Sequence, residues 1–148
     1  MGMLEVYNNQ EVIAIAGDVL EKFEALGRLA LPMALENPSH GGGVLPDLEL
    51  VEVSIVDDPT IDQVHRDFMD IPGATDVITF AHGEIVVSVE TAKSYAAEYG
   101  HSMERELMLY IIHGLLHLSG HEDAAADERA TMEGIQGAML DRLWPRDA

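Results

Sequence analysis

The 148 residues suit one compact domain with a single hydrophobic core, and a 47% hydrophobic share is that of a folded chain rather than a disordered one. With 8 basic against 27 acidic residues the net charge is −19, so the surface as a whole repels nucleic acid, and a polyanion would need a local basic groove or a partner that supplies one. The absence of cysteine excludes disulfides, iron–sulfur clusters and thiolate zinc sites, leaving any transition metal to His and carboxylates.

The segment Met1 to Tyr7 has no basic stretch leading into a long apolar core. No apolar run approaches the ~20 residues needed to cross a bilayer. A cytoplasmic protein with no membrane partner is expected.

In chain order, Val12, Ile13, Ala16, Val19, Leu20, Phe23 and Leu26 recur at spacings of three and four, predicting an amphipathic packing helix over residues 11–26. Pro32, Pro38, Gly41 to Gly43 and Pro46 then break both periods, predicting a loop and the most mobile stretch of the chain. Residues 48–56 are β-branched and partly alternating, as in a strand buried mainly on one face. Asp57, Asp58 and Pro59 start a helix that ends near Met69, before Pro72 and Gly73.

Residues 76–81 and 84–89 read as a hairpin turning at His82 and Gly83. Helices follow over 91–99, stopped by Gly100, and from Ser102 through Leu118, stopped by Gly120. A last helix, 126–143, aligns Met132, Ile135, Met139 and Leu143, and Pro145 closes it. There is no repeat, linker or low-complexity tract. The order of strand, helix, strand, helix, two strands and three helices predicts a single α+β domain over residues 1–148, with a small mixed sheet covered by helices and a metal-binding helix in the C-terminal half.

That helix carries His113 and His117, four residues apart among Met108, Ile111, Ile112, Leu115 and Leu116. Four residues advance about 400° and ~6 Å, so the two imidazoles share one face and can chelate one ion. Gly120 turns the chain back immediately before His121, Glu122 and Asp123, which brings a third ligand within reach. A glycine stop favours Asp123 as that ligand; His121 is the alternative, and requires the helix to persist past Gly120. Three protein ligands leave a fourth position open, the catalytic arrangement for zinc, and hydrolysis is the chemistry it suits. In helical metallopeptidases the residue after the first His is the glutamate base; here it is Gly114, which argues against a peptidase.

The run His113-Gly-Leu-Leu-His117-Leu-Ser-Gly120 resembles the H-G-x-L-H-L-x-G signature of the YbeY endoribonuclease (rRNA maturation factor) family. Thr75-Asp-Val-Ile-Thr-Phe80 resembles that family's T-D-V-L-S-F segment, and Gly83-Glu-Ile-Val-Val-Ser88 its G-D-I-x-I-S segment. The resemblance implies an endoribonuclease with one zinc ion per chain, directed at single-stranded RNA. It also implies a role in maturing the 3′ end of small-subunit ribosomal RNA and in ribosome quality control. Its partners would be ribosomal RNA and the small subunit, with no DNA.

Two positions depart from the family pattern. The third ligand there is usually a His ten residues after the first, where this chain has Asp123. The family arginine six residues before T-D-V, associated with the phosphate, is replaced by Met69, and Arg66, one helical turn earlier, is the candidate to supply that charge. No chemistry is assigned to Thr75 or Asp76.

Overall fold

The computed structural model describes residues 3–69, 73 and 75–146. Its elements are β1 (Met3–Asn8), α1 (Gly17–Leu35), β2 (Leu50–Val56), α2 (Asp58–Met69), β3 (Val77–Phe80), β4 (Glu84–Ser88), α3 (Val89–Tyr99), α4 (Met103–Leu118) and α5 (Ala126–Leu143), with two short 3-10 turns between α1 and β2. The strands form one mixed sheet in the order β1-β2-β4-β3. β1 and β4 run parallel to β2, while β3 pairs antiparallel with β4 as the predicted hairpin.

Alternation along the strands divides the core. Val51, Val53 and Ile55 of β2 join Leu4, Val6, Ile85 and Val87 on the face covered by α1 and α4, against which α5 packs. Val56 and Val86 point the other way, onto Ile61 of α2. Helix α4 is apolar on almost every side, with Leu107, Met108, Ile111, Ile112, Leu115 and Leu116 fully buried, as befits a helix enclosed by others. The single α+β domain and its helix-covered mixed sheet are as the sequence predicts.

The first helix departs from its prediction, beginning at Gly17 and continuing to Leu35 instead of spanning residues 11–26. Upstream, the Gln10 side chain binds both the amide and the carbonyl of Ile13, so this stretch folds as a turn that still packs Ile13 and Ile15 on the core. Downstream, Pro32 does not open the loop. It sits on the exposed face of the helix, while Phe23, Gly27, Ala30, Leu31 and Ala34 continue the buried stripe. Tertiary packing on one face outweighs the loss of one backbone bond on the other.

Among the described residues, three of the five α-helices start at side-chain caps. The Asp57 carboxylate accepts the Thr60 amide (2.9 Å), Ser88 Oγ accepts that of Thr91 (3.2 Å), and Ser102 Oγ accepts that of Arg105 (3.1 Å). The start of α3 at Val89 places the strand-to-helix change directly on Ser88.

Candidate metal centre

The end of α4 is a Schellman motif: the His121 amide bonds to the Leu116 carbonyl (3.0 Å) and the Gly120 amide to that of His117 (3.0 Å). Gly120 supplies the left-handed residue this requires, at φ 97°. The chain reverses there and returns Asp123 to the face of α4 that carries His113 and His117.

The end of α1 and the segment joining it to β2 lock this reversal in place. Val44 donates to the Leu118 carbonyl (2.9 Å), Ser39 to that of Ser119 (3.1 Å), and Ser119 Oγ to that of Ala34 (2.8 Å). Gly43, at φ 62°, lies so close that a Cβ would stand 2.2 Å from the Leu118 carbonyl oxygen. The segment expected to be the most mobile is thus stitched to the helix that carries His113 and His117.

Within the reversal, Nε2 of His113 and Nε2 of His117 are 3.0 Å apart, and Asp123 Oδ2 lies 3.5 and 3.6 Å from them. These ligand atoms all fall within 4.8 Å of one another, a group that could hold a metal ion. The fit to a cation comes from the far side of each ring. His117 Nδ1 donates to the His121 carbonyl (2.9 Å), and His113 Nδ1 faces Gln136 Oε1 (2.9 Å). With each Nδ1 carrying the proton, both Nε2 lone pairs and a carboxylate converge on one point, a donor set suited to zinc. Burial, and secondarily His113, hold the His117 pKa below its usual value, which keeps that ring neutral as a ligand must be.

Of the sequence candidates, His113, His117 and Asp123 are brought together. His121 is buried, and its Nε2 is bonded to the Asn37 carbonyl (2.6 Å); it reaches His117 through its main-chain oxygen instead. Arg66 is 55% exposed and paired with Asp62 (3.1 Å), whereas Met69 lines the cleft. Gly114 faces strand β4, where a Cβ would stand 2.7 Å from Ile85 Cδ1. The missing peptidase base therefore reflects close helix-to-strand packing.

Sequence reasoning did not single out Gln136 or Arg129, whose Nε donates to the Asp123 carbonyl (3.2 Å). A signal for Gln136 existed: it is the polar member of the otherwise apolar row Met132, Ile135, Met139 and Leu140.

The His113, His117 and Asp123 side chains open onto a cleft of about 580 Å³, walled by Gly43, Met69, Thr75, Asp76, Thr79 and Glu122 among others. His113 and His117 side chains are 21% and 23% exposed and Asp123 is 46% exposed, so a substrate can reach them.

Residues 8–144 match the family model of endoribonuclease YbeY. The chain is 35% identical over 144 residues to an endoribonuclease YbeY of Symbiobacterium thermophilum, covering 86% of this chain and 88% of that protein. It is 32% identical over 154 residues to that of Desulforamulus reducens, covering 93% and 95%. The fold is similar to a solution structure from Thermotoga maritima, with TM-score 0.64 and 23% identity over 96% of this chain and 89% of that one. Among the described residues no helix is long and apolar enough to cross a membrane. With the family model matching nearly end to end and the motif histidines converging beside Asp123, this chain belongs to the YbeY endoribonuclease family.

Proposed function

We propose that the protein is a zinc-dependent endoribonuclease that cuts single-stranded RNA, acting in the cytoplasm on the 3′ end of small-subunit ribosomal RNA and in ribosome quality control. The carrying observation is the convergence of His113 Nε2, His117 Nε2 and Asp123 Oδ2 on one point at the floor of an open cleft. A zinc ion held by these residues supplies Lewis acidity for activating water and for offsetting charge on a phosphoryl oxygen.

The chain's own residues do the rest. Gln136 and the His121 carbonyl fix both imidazole tautomers, and the Schellman turn sets where Asp123 stands. Arg66 is the cation assigned to the phosphate. It pairs with Asp62, four residues away on the same helix, in an exposed contact that solvent screens, and it stands outside the residues that line the cleft. Gly114 supports RNA over a peptide, because that position offers no base.

A non-catalytic ribosome-biogenesis adaptor with a structural metal is the second reading, favoured by the −19 charge and by Met69 in the cleft wall. The experiment is metal analysis of purified protein alongside cleavage of single-stranded and duplex RNA by wild type and His117→Ala. About one zinc per chain, with nicking of the single strand only by wild type, supports the nuclease. Zinc-loaded protein that leaves RNA intact and unfolds on chelation establishes the adaptor.

A further inference from the structure

Beside the metal cleft lies a second cavity of about 360 Å³, which shares His113 and Asp76 with it and is otherwise walled by Tyr95, Tyr99, Tyr110, Glu133 and Gln136 among others. Three features give it a ligand chemistry of its own. Tyr110 is 3% exposed, and its hydroxyl has no hydrogen-bond partner among the described residues. The neighbouring Glu106 has one carboxylate oxygen on His101, and burial, followed by the charge and closeness of Glu106, raises the Tyr110 pKa, so the phenol stays an O–H donor. An acceptor entering the cavity would complete that bond.

Tyr95 and Tyr99, one turn apart on α3, present near-parallel rings with centroids 5.9 Å apart and an interplanar angle of 9°. They are 40% and 58% exposed, and both line the cavity. The remaining polar wall is acidic, with Asp76, Glu106 and Glu133, which repels a phosphate but accepts N–H groups. Gln136, whose oxygen faces His113, has its amide nitrogen left to donate.

We infer that this cavity is a nucleobase subsite: one unstacked base of the RNA, next to the phosphate at the metal cleft, packs on the Tyr95 and Tyr99 rings and turns its polar edge toward Tyr110 and the carboxylates. The inference rests on the ribonuclease reading above and adds a reason for single-strand preference, since a paired base cannot enter. Guanine, with adjacent N–H donors for a carboxylate and a carbonyl for Tyr110, matches the wall best.

The test titrates the zinc-loaded full chain with the four nucleoside 5′-monophosphates and with ribose 5-phosphate, following the tyrosine ring resonances by NMR. KM and kcat on a single-stranded RNA oligonucleotide are measured for wild type, Tyr99→Ala and Tyr110→Phe. Saturable shifts with nucleotides, largest for guanosine monophosphate and absent with ribose 5-phosphate, are expected. Tyr99→Ala should raise KM about 10-fold at unchanged zinc content, the usual order for losing one base stack. Equal shifts with ribose 5-phosphate, or unchanged KM in both variants of an RNA-cleaving enzyme, overturn the subsite and leave the nuclease standing. Nucleotide shifts on Tyr95 and Tyr99 in a protein that never cuts RNA support the subsite and remove the nuclease.

Discussion

His113 and His117 face each other through Nε2 atoms 3.0 Å apart, while the Nδ1 of each is turned to an oxygen. Two lone pairs held that close repel one another unless a proton or a metal ion stands between them. A cation placed there relieves this repulsion and engages Asp123 as well.

Zinc should therefore stabilise the fold. At a free concentration 100 times its Kd, binding to the native state alone adds about 2.7 kcal/mol. For a chain of this size that raises Tm by roughly 5–10 °C. Differential scanning calorimetry with zinc and then with a chelator should show a reversible shift in wild type and none in His117→Ala.

Gln136→Ala leaves every ligand in place but frees the His113 ring to rotate and change tautomer. Loss of such a partner typically lowers metal affinity about 10- to 100-fold. Competition with a chromophoric zinc chelator would measure this. An unchanged affinity would mean that Gln136 merely fills space in α5.

Gly114→Ala drives a methyl group into Ile85, within 2.7 Å of Cδ1 and 2.8 Å of Cγ2. Overpacking of this kind costs about 1–3 kcal/mol. The urea midpoint should fall, and Ile85→Val in the same chain should recover part of it by removing Cδ1 while Cγ2 remains.

The Asp57 carboxylate is held below its ordinary pKa of 3.8, chiefly by its hydrogen bonds with Thr60 at the start of α2. A depressed folded-state pKa stabilises the fold above the unfolded value and ceases to do so as pH falls through the folded one. Asp57→Ala should cost about 1 kcal/mol at neutral pH, as for other lost caps. Urea unfolding of wild type and variant should show the gap narrowing as the medium is acidified below pH ~4.

Most of this architecture could be read from sequence because its signals are local. Gly120 dictates the reversal that brings Asp123 back, and Ser102 and Asp57 mark helix starts through their own side chains. The sequence pattern places the first helix over residues 11–26 because what carries it past Pro32 is not local: Ala34 is buried in the core, and Ser119 Oγ binds its carbonyl from 85 residues away. For the same reason the pairing of Gln136 with His113 and the second cavity have no local signal. The sequence separation between His113 and Gln136 is 23 residues, and no periodicity links α3 tyrosines to α5.

The stitching of residues 34–44 to the end of α4 also orders events in time. His121 meets Asn37 across 84 residues and Ser119 meets Ala34 across 85, so the turn presenting Asp123 gains its outside support only when distant parts of the chain have closed. Such long-range closures are slow and late in folding. Recovery of zinc affinity during refolding should consequently lag behind recovery of helical signal, making the metal a reporter of the final native contacts and not a nucleus around which the domain assembles.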